Sequence, residues 1–163
     1  MPPYYSREKL ILPEKQRSTS LASYLEDLNS NALNEYLLSD KTLLKYCFVL
    51  DIRRSSDFSS CCFTKAYSKY AEGTGSVLHH DTSSSLKEQF TLFEKDGNVS
   101  HLKQLQLRYF TPREVSNLMG FPQEFAFPDN ISNRTRYRLL GNSLNVVVVS
   151  NLIQLLAGDA NKQ

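Results

Sequence analysis

The chain has 163 residues, 40% of them hydrophobic, which is the length of one domain with enough apolar material for a modest core. Its longest unbroken apolar run, Val146 to Val149, is far below the roughly 18 residues a membrane-spanning helix needs, and Met1-Pro2-Pro3-Tyr4-Tyr5 resembles no signal sequence, so a soluble intracellular protein is expected. A net charge of +2 neither demands nor excludes a nucleic-acid partner, and three cysteines (Cys47, Cys61, Cys62) without paired spacing exclude a disulfide framework and speak against zinc.

Residues 1–20 carry three prolines and mixed charge around Leu10-Ile11-Leu12 and read as a tail or linker. Leu21, Tyr24, Leu25 and Leu28 recur at helical spacing behind Ser20, which stands where a capping residue would. A second helical pattern contains Leu33, Tyr36 and Leu37. In a third, Asp40 stands as the cap and Leu43, Leu44, Cys47 and Phe48 form the buried stripe. Arg53 to Ser60 is turn-like, Cys61 to Thr64 has strand character, and Lys65 to Gly75 returns to loop chemistry. His79 to Ser85 is expected at the surface. Leu86, Phe90 and Phe93 predict a helix ending near Gly97, and Leu105 to Phe110 predicts a strand.

Thr111, Pro112 and Glu114 supply a capping hydroxyl, a proline at the first helical position and an acid in the first turn, so a helix should run from there to about Met119 and stop at Gly120. Phe121, Phe125 and Phe127 form an aromatic loop packed onto the core. Asn133 to Leu140 can be helical and Gly141 breaks it. A last helix starts at Asn142 or Ser143 and ends near Gly158, with Val146, Val149, Leu152, Ile153 and Leu156 on one face.

Three segments could carry chemistry. Gly141-Asn142-Ser143-Leu144-Asn145-Val146 is a helix mouth whose backbone N–H groups favour an anion such as a carboxylate, although the same residues serve as an ordinary break and cap. In Asn133-Arg134-Thr135-Arg136-Tyr137-Arg138, Arg134 and Arg138 share one helical face and could grip phosphates, or form a solvated face with Tyr137 tucked inward. Cys62-Phe63-Thr64-Lys65-Ala66-Tyr67 places a thiol near a cation, but most such cysteines are small hydrophobes. Gly73-Thr74-Gly75-Ser76 lacks the lysine of a phosphate-binding loop and reads as a turn. His79, His80 and His101 match no metal or base template and are expected at the surface.

These segments, in this order, resemble the carboxy-terminal part of the transfer-RNA branch of the cytosine-5 methyltransferase family. The resemblance is carried by Cys62 to Tyr67, Glu72 to Leu78, Arg108-Tyr109-Phe110-Thr111-Pro112-Arg113-Glu114, Gly120-Phe121-Pro122 and Tyr137 to Val146, and it spans roughly Leu21 to Leu156. It implies a mixed α/β, helix-rich chain: a target-recognition lobe over 21–107 and the last family motifs with a closing helix over 108–157. A tail covers 158–163. In the family the closing helix packs back on a Rossmann-like domain that binds S-adenosylmethionine, and that sheet core is mostly absent here. The resemblance puts Asn142 and Ser143 at the cofactor, turns Lys65, Arg134 and Arg138 toward transfer RNA, and makes Cys62, Phe63 and Thr64 the mark of the recognition lobe.

Two departures stand out. The family usually has glycine in place of Ala66, which would strain the loop if that residue needs a positive φ. More importantly, no Gly-rich cofactor loop, Pro-Cys nucleophile or Glu-Asn-Val motif occurs in the chain. In the family mechanism a cysteine thiolate attacks carbon 6 of a flipped cytosine and carbon 5 takes the methyl group. No catalytic residue is therefore assigned, and Cys62 is not the family nucleophile. The expected reading is part of an enzyme that methylates an anticodon-loop cytosine of aspartate transfer RNA, cytoplasmic and also nuclear, inactive without an amino-terminal segment. The alternatives are a non-catalytic RNA-binding module, a DNA-methylating counterpart, or a remnant that does not fold alone.

Overall fold

Capping side chains set most helix starts in the computed structural model, which describes residues 19–79 and 83–160. The predicted tail, except Thr19 and Ser20, and His80 lie outside these residues. The helix expected from Leu21 to Leu28 is a single 3-10 turn, Leu21–Tyr24. Its first amides donate instead to Asp57 O and Ser55 O, and Ser20 makes no side-chain cap. In α1 (Ser30–Asn34) the Asn29 side chain accepts from Ala32 N. Tyr36 and Leu37 fall outside it because the chain leaves to line the sheet: Tyr109 N donates to Tyr36 O and Leu38 N to Leu107 O. In α2 (Asp40–Tyr46) the cap is Ser39, not Asp40, which lies in the first turn. Leu43 and Cys47 are buried, whereas Leu44 and Phe48 are exposed, Phe48 leaning on the Phe90 and Phe93 rings.

Three short strands form one sheet. β1 (Ile52–Arg53) pairs in parallel with β2 (Val77–His79), and β2 pairs antiparallel with β3 (Leu107–Tyr109). Residues 61–64 join no strand, because their backbone bonds run to the neighbouring turn: Cys61 N to Ser76 Oγ and Thr64 N to Thr74 O. His79 is not at the surface; it ends the central strand and is buried. Successive strand residues point to opposite faces, and here each face meets its own core. Val77 and Leu107 join Leu38, Leu43, Phe93 and Leu102, whereas Leu78 joins Phe63, Tyr67, Phe110, Tyr137 and Leu140.

The first core is closed by α3 (Leu86–Asp96), which ends at Gly97 in the left-handed region, and by α4 (Val99–Lys103), a short helix capped by Asn98 that the apolar spacing did not suggest. The second is closed by α5 (Pro112–Leu118) and α6 (Asn133–Gly141). α5 has the expected capping box, and Gly120 follows it at φ +74°. Phe121 and Phe127 pack on this core, and Phe125 lies tilted against the first ring and edge-on to the second.

The last helix, α7 (Val146–Ala160), starts later than expected because Asn142 N and Ser143 N close off α6, on Leu139 O and Leu140 O. Its apolar stripe is uncovered: Leu152, Ile153 and Leu156 are all more than half exposed. By length and composition alone, residues 133–157 include an 18-residue window apolar enough for a membrane span, at a mean hydropathy of 1.6, although Asn142 and Ser143 divide the run into α6 and α7.

Candidate nucleic-acid interface

The Cys-Phe-Thr segment divides its residues between core and surface. Phe63 packs edge-on against Tyr67 and Phe110, and Tyr67 meets the Tyr109 and Tyr137 rings in the same way. The Tyr67 hydroxyl donates to Ser76 O at 2.6 Å and accepts from Phe110 N at 2.9 Å. Burial pushes its pKa well up, so it stays a neutral donor. Thr64 is half-buried and Cys62 is exposed, its thiol 4.0 Å from Phe63 O. Ala66 does not have a positive φ; the left-handed residue of this loop is Ser68, at φ 63°. The alanine therefore adds no strain.

One glycine joins this loop to α6. A Cβ on Gly141 would stand 2.1 Å from Lys65 N and 2.2 Å from the Thr64 carbonyl carbon, so the helix and the loop touch backbone to backbone. Only a residue without a side chain permits that approach. In consequence Lys65 comes to lie beside Arg134 and Arg138, one turn apart on α6. The three residues, with Lys69, Tyr70 and Thr135, line one concavity of about 470 Å³.

No acidic residue lines this concavity, and none of its four cations takes part in an ion pair among the described residues. Like charges set side by side without acidic neighbours repel in the free protein, a layout that suits an anionic ligand. Other arginines nearby are used differently. Arg136 points to the opposite side, near Pro128 O and over the Phe127 ring, and Arg113 donates to Phe125 O and Gln123 O. Tyr137 is tucked inward, donating to Phe110 O at 2.6 Å. Lys69 and Tyr70 were not singled out from sequence; the signal available was a Lys-x-x-x-Lys-Tyr spacing inside a turn.

Behind the concavity lies a buried ion pair. Arg108 donates from Nη1 and Nη2 to the two Glu114 oxygens at 2.7 and 2.8 Å, and both side chains are almost fully enclosed. Glu114 also accepts from Thr111 N and Glu26 N, and Thr111 Oγ1 donates to Glu26. Four donors thus satisfy this buried carboxylate. The network fixes α5 against β3 and the 3-10 turn.

The two residues expected at the cofactor end are placed at the α6–α7 junction. Asn142 is exposed; Ser143 is half-buried, donates to Leu140 O, and lines an apolar recess of about 340 Å³ with Phe121, Phe125 and Leu139. The helix mouth offers fewer free amides than its sequence suggests, because Val146 N donates to Met119 O and Val148 N to Asn145 Oδ1.

The chain is matched over residues 4–157 by the family model for C-5 cytosine-specific DNA methylases, and it belongs to that family. Among its relatives, human tRNA (cytosine(38)-C(5))-methyltransferase is 48% identical over 139 residues, 83% of this chain and 35% of the relative. The Spodoptera frugiperda protein of the same name is 36% identical over 93% of this chain and 47% of its own length. A Dictyostelium discoideum DNA (cytosine-5)-methyltransferase is 38% identical over 83% of this chain and 34% of its own. The helix-rich α/β fold matches crystal structures of a Spodoptera frugiperda DNMT2 mutant (TM-score 0.77, 36% identity, 90% of this chain, 49% of that one) and of Schizosaccharomyces pombe Dnmt2 (TM-score 0.75, 38%, 88% and 43%). The chain spans less than half the length of each of these relatives.

Proposed function

We propose that this chain is the carboxy-terminal part of a transfer-RNA cytosine-5 methyltransferase, and that its own contribution is to hold the RNA. The observation that carries this reading is the concavity of Lys65, Lys69, Arg134 and Arg138, four cations without acidic partners held together by the Gly141 contact. Such a cluster contacts phosphates and sets the register of the RNA. The names of the human and Spodoptera relatives supply the target, cytosine 38 of a transfer RNA; the aspartate acceptor follows from the resemblance of the motifs. S-adenosylmethionine supplies the methyl group in this chemistry. Asn142 and Ser143 contribute polar contacts at its amino-acid end, while the nucleophile and acid come from an amino-terminal segment, since no Pro-Cys or Glu-Asn-Val is present here.

The test is binding of the purified chain to an aspartate transfer-RNA transcript across a salt series. Affinity should fall with salt as several phosphate contacts demand, on the order of 0.7 in the log–log slope per contact. Lys65→Glu with Arg138→Glu should abolish binding, and the chain alone should transfer no methyl group. Salt-independent binding, or binding that survives the double reversal, refutes the reading. Tighter binding to duplex DNA than to transfer RNA would favour the DNA-methylating alternative, to which the Dictyostelium relative's name points.

A further inference from the structure

Tyr70 stands apart from the other aromatics of this lobe. Tyr67, three residues earlier, is buried in the core, whereas Tyr70 is 53% exposed at the rim of the basic concavity. An exposed tyrosine on a mobile stretch would be unremarkable, but this one is anchored on both sides. Tyr70 N donates to Ala66 O at 3.1 Å, and Tyr70 O accepts from Thr74 Oγ1 at 2.5 Å. The neighbouring Ser68 adopts φ 63°, a conformation that costs a serine energy and that turns the chain between the buried Tyr67 and the outward Lys69 and Tyr70. Lys69 Nζ lies 4.8 Å from the Tyr70 ring centroid, so the ring is held flat against a cation.

We infer that Tyr70 is a stacking platform for an unpaired base of the bound RNA. The inference rests on the RNA-binding reading above and adds a base-contacting residue to it. Cations alone bind any phosphate backbone. A planar ring set among them rewards only a nucleotide whose face is free, which a duplex does not offer. In the free protein the two backbone bonds hold the turn that carries the ring, and the ring itself meets the Lys69 cation, which lowers the cost of ordering it on binding.

The experiment compares a hairpin RNA having a seven-nucleotide loop with a blunt RNA duplex of equal charge, binding each to the full chain and to Tyr70→Leu and Tyr70→Phe. The hairpin should bind the wild-type chain more tightly than the duplex. Tyr70→Leu keeps bulk but removes the planar face, so hairpin affinity should drop about 10-fold, with duplex affinity and the salt slope unchanged. Tyr70→Phe should bind like the wild type. Equal affinity for the two RNAs, or an unaffected Tyr70→Leu, overturns the inference while salt-dependent binding still upholds the RNA-binding reading. Absence of salt-dependent binding to either RNA overturns both.

Discussion

Gly141→Ala separates two opposite expectations. Inside a helix, replacing glycine by alanine ordinarily stabilises by about 1 kcal/mol, because glycine has the larger conformational entropy to lose. Gly141 ends α6 against the loop, and a methyl group there would stand 2.1 to 2.5 Å from Lys65 N, the Thr64 carbonyl carbon and Thr64 O. The closest of these is about 1.3 Å short of the 3.4 Å at which contact becomes ordinary. All three atoms are backbone, so no side chain can swing away, and the helix must part from the loop. Overpacking of this kind costs about 1–3 kcal/mol, and rigid neighbours place Gly141→Ala at or above the top of that range. Urea unfolding should show a lower midpoint at unchanged slope, corresponding to about 3 kcal/mol of lost stability, a large share of the 5–15 kcal/mol that holds a domain together. Because the parting also carries Lys65 away from Arg134 and Arg138, transfer-RNA affinity should fall even where the variant remains folded. A variant as stable as the wild type, or more stable, would refute the reasoning and return Gly141 to the role of a simple helix end.

Three further outcomes follow from other contacts. Glu114→Gln leaves Arg108 buried without its counter-charge and should cost about 3–5 kcal/mol in chemical denaturation; a loss under 1 kcal/mol would show that water reaches the pair. Asp51 is held at a pKa of about 2: burial pushes it up, but hydrogen bonds from Arg53 and Ser76 outweigh that. Its folded pKa thus lies below its unfolded one, so its contribution is present above pH 4 and is lost as pH falls toward 2. With the carboxylate 30% exposed and partly screened, the contribution is about 1–2 kcal/mol, and Asp51→Asn should flatten the stability profile by that amount between pH 5 and 2. Ser68→Gly relieves a left-handed serine and should raise stability by about 0.5–1 kcal/mol; an unchanged or lower melting temperature would contradict the strain.

Where local chemistry decides the structure, the chain was readable in advance. The Thr111-Pro112-Glu114 start and the Gly97 stop depend on residues within a few positions of each other. Misreadings arose where distant partners overrode local pattern. Cys61 to Thr64 has the apolar and branched residues of a strand, yet its amides are taken by Ser76 and Thr74 across a turn. His79 sits in a polar neighbourhood of the sequence but ends a central strand covered on both faces. α4 is only five residues long, too short for periodicity to register, although Asn98 marked its start. Of the site, Lys65, Arg134 and Arg138 were named from their type and family resemblance, and they do converge. Lys69 and Tyr70 became visible only once the loop was seen folded against a helix some seventy residues away. The amides at the α7 mouth looked free because Met119 O and Asn145 Oδ1 supply their acceptors only in three dimensions.

The three-stranded sheet works as a party wall. Val77 faces one core and Leu78 the other, and Tyr109 packs against both, so the rooms on either side share little besides the wall itself. Everything that shapes the basic concavity, from Phe63 to Leu140, lies in one of them. α3 and α4 furnish the other, and their exposed faces can take a reporter dye, an affinity handle or an inserted loop on the far side of the sheet from the basic concavity. An engineer wishing to watch this lobe grip its ligand should fix the label there.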